Sequence, residues 1–548
     1  METYLLLGGY SSFYRFVYLF VVIQSHINKS HASKILFFNG MGEGSHYFYA
    51  SSLAEELSSR GHDVTFLLGE KFKFRANNPV HKDMFNFIFV SNKGSLDKCF
   101  QHATEEAFEG KMIFLDYNFL DWYGQELSKD CEAIFSPTIL EQLQWHQFDL
   151  LMCDPLWPCS IALGDYLGVE KIALMPISSS AAILTLLGNP TSSAITATFG
   201  RSYPEKMNFS QRLANFVFSH LGVWLLSLLS DSPYRHILDP FHVRSYSESL
   251  KTINVYILAS DHLLDQKIPT MPGMVKASGL TIRPPKPLPK NLEDFMKSSG
   301  DSGVIIFSLG SYVTHMPKRL VKIFQEVFAG LPQKVLWQCK DVDTLPKDNM
   351  PVNVKTMTWL PQLDLLAHNK TKLLFYQGGI NGVYEAIYHA VPILVMPLSA
   401  DQHDIAQRIV ERGIGLKIDV TQLSTALIQQ RVETLIKDSK YKNTVKHLST
   451  VFRDQPQSPR DRAAFMVEHV LRYGSDHLRS PVHDLNFLQL NLLDVYAFLI
   501  FLIICLCFIL YRFCKGIIYL FARVRTVLPN GRAQVQRRQI SGERLHND

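Results

Sequence analysis

Between residues 359 and 402 the chain reads Trp359-Leu-Pro-Gln362, then Phe375-Tyr-Gln377-Gly-Gly-Ile-Asn381-Gly-Val-Tyr-Glu385, then Pro397-Leu-Ser-Ala-Asp401-Gln402. The apolar run 373–377 has the character of a buried parallel strand, and Gly378, Gly379 and Gly382 follow it and open a helical pattern. A strand that turns through glycines into a helix presents unpaired backbone amides, and the positive end of the helix dipole, to an anion such as a diphosphate. Glycine-rich turns are common. What distinguishes this one is the set of polar residues gathered at the ends of neighbouring strand runs, among them Gln362, Asn381, Glu385, Asp401 and Gln402.

The same rhythm extends outward in both directions. In the second half, runs 304–310, 334–339, 354–359, 373–377, 392–398 and 413–419 are short, apolar and bounded by turn residues; the first half repeats them at 34–39, 64–69, 86–90, 149–154 and 171–178. Helical patterns such as 49–60, closed by Gly61, separate several of them. Strands alternating with helices predict an α/β fold with parallel sheets covered on both faces. The stretch Ile282-Arg-Pro-Pro-Lys-Pro-Leu-Pro-Lys290 cannot be helix or central strand and reads as a linker. The expected organisation is therefore an N-terminal domain 33–281, a linker 282–300 and a second domain 301–480. Residues 183–240 are apolar and helical without a sheet rhythm, an insertion suited to bind something greasy; within it, 221–229 reads as core or as a membrane contact. Doubly wound sheets bind ligands beyond the carboxyl ends of their strands, so the cleft between two such domains is the default site.

Of the 548 residues, 47% are hydrophobic and 19% charged, against about 25% charged in typical soluble domains. This points to a membrane contribution and excludes disorder, collagen-like structure and small disulfide scaffolds. The net charge of +5 is unevenly placed: from Arg512 onward eight Lys/Arg face two acidic residues, leaving 47 basic and 48 acidic groups in the body. A neutral body with a basic tail argues against nucleic acid as a partner.

Both ends carry targeting information. Arg15, the apolar run 16–23 and Ser30-His31-Ala32 form a secretory signal peptide over 1–32, with cleavage after Ala32 or a few residues earlier. Residues 495–511 are apolar and uncharged, extendable to 492, long enough to cross a bilayer; the basic cluster 512–548 puts the tail in the cytosol. The expectation is a single-pass type I membrane protein with its body lumenal. Sequons at Asn28, Asn208 and Asn369 suit that compartment. Of eight cysteines, three lie in or beside the span, and the others show no CxxC, so neither a zinc site nor a disulfide framework can be read.

With these motifs in hand, the chain resembles the UDP-glycosyltransferases, the family that includes the UDP-glucuronosyltransferases. The resemblance covers essentially the whole chain: Gly44-Ser45-His46, Phe148-Asp-Leu-Leu-Met-Cys-Asp154-Pro-Leu-Trp-Pro-Cys159, Lys286-Pro-Leu-Pro-Lys290, Phe307-Ser-Leu-Gly-Ser311, the 359–402 signature, and the membrane anchor with its basic tail. It implies two Rossmann-like domains facing across a cleft (the GT-B arrangement), an endoplasmic reticulum location, a UDP-sugar donor and a small lipophilic acceptor. It also implies no cofactor and no metal, and allows homo- or hetero-oligomers with relatives. In the donor site it implies that Trp359 stacks on uracil, Gln362 contacts the nucleoside and Glu385 accepts the ribose hydroxyls. Ser311, Asn381 and the Gly379 and Gly382 backbone would hold the diphosphate, with Asp401 and Gln402 on the sugar hydroxyls.

The implied catalytic pair comes from the first half. His46, in a turn after the first strand run, would take the acceptor hydroxyl proton, while Asp154, ending a later run, orients the ring and stabilises the imidazolium. Attack in one displacement implies inversion at the anomeric carbon. Asp341-Val-Asp343 resembles a metal-binding pair of a different glycosyltransferase fold, but lacks that single-domain context.

Two departures matter. Where the family most often has His before Gly-Gly, this chain has Gln377, which can hydrogen-bond a phosphate oxygen but cannot carry charge. It opens an alternative reading, a non-catalytic UDP-sugar-binding partner of active relatives. Ala259 falls where glucuronate-using relatives carry an Arg, which points toward a neutral hexose such as glucose.

Overall fold

In the computed structural model the described residues are 32–527, apart from Glu43, Phe114, Leu115, Ser179, 341–344 and 346–349. The expected signal peptide up to His31, the Asp341-Val-Asp343 pair and the tail beyond Val527 lie outside them. The chain folds as two units, Met1–Ser480 and Pro481–Asp548.

The first unit holds two wholly parallel sheets. One has the order β3-β2-β1-β4-β5-β6-β7, from β1 (Lys34–Phe38), β2 (Asp63–Gly69), β3 (Phe85–Val90), β4 (Leu150–Cys153), β5 (Glu170–Met175), β6 (Val255–Leu258) and β7 (Met274–Lys276). The other has the order β10-β9-β8-β11-β12-β13, from β8 (Val304–Ser308), β9 (Lys334–Gln338), β10 (Val354–Met357), β11 (Thr371–Tyr376), β12 (Ile393–Val395) and β13 (Gly415–Lys417). Residues alternate between two core layers: Ile35 and Phe37 pack with Tyr47 and Leu53 of the helix Gly44–Ser59, while Leu36 and Phe38 pack with Leu127 and Ile161 on the opposite face. Both faces being covered, the strands read as unbroken apolar runs. The sequence runs omit β6 and β7, which have four and three residues.

In each sheet the first strand lies in the middle, β1 between β2 and β4, and β8 between β9 and β11. Successive connections therefore diverge there, and the carboxyl ends of those strands open a crevice. The first core layer runs on from one sheet into residues of the other, including Val304, Leu374 and Tyr384. The chain also crosses back: the helix Pro459–Tyr473 returns to the first sheet's side, where Arg60 meets Asp461 at 2.7 Å and Arg460 meets Glu55 at 3.1 Å.

Among the described residues between β5 and β6 there are helices, the longest being Ala181–Leu186 and Phe209–Leu229, and no strand. A disulfide, Cys131–Cys159, ties the helix Tyr117–Ile134 to the helix Pro158–Leu167. In the second unit the helix Leu493–Val527 has 35 residues, and its apolar stretch is long enough to cross a membrane. It continues past Arg512, where the apolar residues 517–521 extend the pattern beyond the expected end at 511.

Candidate active site

His46 lies in the first turn of the helix Gly44–Ser59, just past the carboxyl end of β1. Its close approach to the second sheet depends on Gly44: at φ +36° a Cβ there would stand 2.7 Å from Ser311 Oγ. Asp154 follows β4, the strand paired with β1 through Phe38 and Cys153, so the two residues emerge side by side at the switch point. His46 Nδ1 and Asp154 Oδ2 are 2.5 Å apart. Asp154 is fully buried, and its other oxygen accepts the Leu156 amide at 2.9 Å. A carboxylate on Nδ1 holds the proton there and makes Nε2 the basic nitrogen. The Trp157 ring lies 5.2 Å from the imidazole.

His46 is part of the wall of a cavity of about 580 Å³. The first domain supplies apolar walls, including Leu120, Tyr123, Leu127, Ile183, Phe199 and Leu225. The second contributes Ser311, Gln377, Gly379, Asn381, Asp401 and Gln402. They follow β8, β11 and β12, with Gly379 capping the helix Ile380–Tyr388 that holds Asn381, and Gln402 opening the helix Gln402–Glu411. Asn381 Nδ2 reaches the Ser45 carbonyl across the cleft at 3.5 Å. Gln377 is buried under Gly310, whose φ of +82° and missing side chain leave room for the amide: a Cβ would stand 2.2 Å from Gln377 Nε2. Gln377 bonds the Tyr376 hydroxyl, while its Oε1 has no hydrogen-bond partner.

Asp401 Oδ2 accepts the Ser178 amide of the first domain at 2.8 Å. Burial pushes its carboxyl from the usual 3.8 up to about 6, only partly offset by that hydrogen bond. Gln402 turns its Oε1 onto the Leu398 and Ser399 amides at 3.0 and 3.2 Å, bracing its own loop.

Trp359, Gln362, Gly382 and Glu385 form a second cluster outside that cavity's walls. Glu385 accepts from Gln362 Nε2 and Thr281 Oγ1, both at 2.8 Å. Burial raises its carboxyl above the usual range, against the pull of those two bonds. Trp359 is half exposed, its ring 5.5 Å from Phe48 of the first domain. The Tyr376 hydroxyl joins the clusters: it bonds Gln377 and Gln362, and a Cβ on Gly382 would stand 2.6 Å from it. The residues thus form one run, from an aromatic face through carboxylate and amides to a histidine–carboxylate pair at an apolar cavity.

Sequence reasoning assigned no role to Ser178, Thr281, Tyr376 or Trp157. The first two reach their partners over sequence distances that no local pattern reports; Tyr376 and Trp157 lie inside the quoted motifs. Ala259 is elsewhere: at the end of β6 it is 1% exposed in the core, absent from the cavity wall.

Two facing parallel sheets whose switch points open on one cleft form the GT-B architecture. Solved structures agree: the calicheamicin glycosyltransferase CalG4 superposes with a TM-score of 0.53 at 19% identity, over 81% of this chain and 99% of that one. Os79 from O. sativa, in complex with U2F and trichothecene, does so at 0.54 and 14% identity, over 80% and 100%. Residues 33–526 match the family described as "UDP-glucoronosyl and UDP-glucosyl transferase". UDP-glucuronosyltransferase 2B9 of Macaca fascicularis is 29% identical over 523 residues, 92% of this chain and 97% of the relative. UDP-glucuronosyltransferase 1-2 of Mus musculus is 31% identical over 489 residues, 86% and 89%. The chain belongs to this family of UDP-glycosyltransferases.

Proposed function

We propose that the chain is an inverting, metal-independent glycosyltransferase that moves a hexosyl group, glucuronosyl or glucosyl, from a UDP-sugar to a hydroxyl of a small lipophilic acceptor. Its body would lie in the lumen of the endoplasmic reticulum, anchored by the helix Leu493–Val527. The observation that carries the reading is the 2.5 Å contact of His46 with buried Asp154, beside a cavity shared with the glycine turn of the second sheet.

The acceptor enters the apolar cavity, large enough for a lipophilic molecule of drug size. Its hydroxyl proton passes to His46 Nε2 as its oxygen bonds the anomeric carbon; Asp154 stabilises the resulting imidazolium. The bond from that carbon to the phosphate oxygen breaks on the opposite face, which inverts the centre. The departing UDP keeps the electron pair, and its charge is met by the amides and helix end at Gly379–Asn381 and by Ser311. Trp359 and Glu385 would take uracil and ribose. A half-turn of the Gln377 amide would let its oxygen accept the Tyr376 hydroxyl and aim its NH2 at the diphosphate.

The test is UDP release from the detergent-solubilised full-length protein, with UDP-glucose and UDP-glucuronate compared across phenols and steroids. His46→Ala is expected to lose turnover by about 10²- to 10⁴-fold with donor binding retained, and EDTA to change nothing. Release by His46→Ala at the wild-type rate would overturn the mechanism. The second reading, a non-catalytic donor-binding partner, rests on Gln377. Tight UDP binding without release, and turnover gained in Gln377→His, would favour it.

A further inference from the structure

The helix Phe209–Leu229 has two unlike faces. One lines the cavity through Phe218, Gly222, Leu225 and Leu229. The other carries Phe209, Leu213, Phe216, Val217, Trp224 and Leu228, all exposed, with Trp224 at 61% and Phe209 at 70%. Residues 209, 213, 217, 224 and 228 are four or seven residues apart, with Phe216 beside them, so they form one stripe along the helix. From Leu213 to Leu229 the sequence contains no Asp, Glu, Lys or Arg. A surface helix in contact with water carries charge on its outer face, and exposed apolar stripes of this length mark an interaction surface. Arg212 stands at the start of the stripe, and the Arg201 guanidinium lies 3.6 Å from the Phe218 ring centre.

We propose that this outer face docks on the lipid bilayer, lying in the interface with Trp224 at the boundary between headgroups and acyl chains and Arg212 toward lipid phosphate. Lipid is the occupant the chain itself supplies. Only residues 481–492 separate the body from the membrane-spanning helix, a segment whose fully extended reach is roughly 40 Å, so the body never leaves the neighbourhood of a bilayer. Apolar side chains with an aromatic ring and flanking cations are the composition of an interfacial helix. Because the opposite face is cavity wall, lipid contact would sit one helix diameter, about 10 Å, from the acceptor's chamber.

The experiment uses the full-length protein in nanodiscs of dioleoyl phosphatidylcholine or of its dibrominated analogue, read by tryptophan fluorescence. Bromination is expected to quench the wild type and to lose that effect, in the part Trp224 contributes, in Trp224→Phe. Leu213→Asp, outside the cavity wall, is expected to diminish the same quenching while leaving the KM for UDP-sugar unchanged. Equal quenching of wild type and Trp224→Phe would overturn the proposal, as would disulfide-linked dimers of Trp224→Cys in unquenched discs, which would place a second copy on the stripe. The readout needs no turnover, so it stands or falls apart from the proposed transfer reaction.

Discussion

Asp401 shows how burial of a single carboxyl burdens the fold. Its buried carboxyl titrates near 6 in place of 3.8, a rise worth about 3 kcal/mol. The folded chain therefore holds that proton more tightly than the unfolded one. The stabilisation is complete below pH 3.8 and is lost as pH rises through about 6. Asp401→Asn keeps an oxygen for the Ser178 amide and does not titrate. In denaturant titrations at pH 4 and pH 7, the wild type should lose stability relative to the variant across that window. An unchanged difference at the two pH values would show that the carboxyl is not held protonated. If Asp401 grips donor hydroxyls as proposed, the more stable variant should have the higher KM for UDP-sugar.

At the scale of elements, the helix Gln402–Glu411 joins the loop after β12 to the first sheet's side of the cleft. Asp404 accepts the Gly200 and Ser202 amides, each at 2.7 Å. Arg408 donates to Ser178 Oγ at 2.8 Å and pairs with Asp265, both charges being buried. Two charges buried this deeply are tolerated because they neutralise each other, so removing one strands the other. Arg408→Met should lower stability by about 3–5 kcal/mol, read as a lower denaturation midpoint. Adding Asp265→Asn should recover much of that loss; a double variant no better than the single would mean the pair is not the source.

At the scale of the whole molecule, the Cys131–Cys159 bridge fastens the cavity wall to the segment that carries Asp154. It closes a loop of 28 residues, and limiting the unfolded chain in this way contributes roughly 3–4 kcal/mol. Cys131→Ser should lower the midpoint of thermal unfolding and, by loosening the wall, raise the KM for acceptor more than that for donor. Equal midpoints would remove the bridge from the stability account. The return of the helix Pro459–Tyr473 has a similar reach: Arg462 donates to the Lys276 carbonyl at 2.8 Å, so the chain's end helps close the first sheet.

Patterns that repeat within a few residues were legible in the sequence. Burial on both faces writes itself as apolar runs, which revealed most of the strands of both sheets, and the glycines of 378–382 announced a strand turning into a helix. The apolar stretch from 495 announced a helix long and apolar enough to cross a membrane, though not its continuation to Val527. His46 and Asp154 were paired by resemblance to a family, since nothing in either residue's neighbourhood specifies the other; the parallel register of β1 with β4 brings them into contact. Only the tertiary structure decided which remote groups meet: Asp401 with Ser178, Glu385 with Thr281, Cys131 with Cys159. It also placed Ala259 in the core and separated the two faces of Phe209–Leu229. Periodicity and composition are local consequences of burial. Contacts between distant segments depend on strand order and domain closure, which no stretch of sequence contains alone.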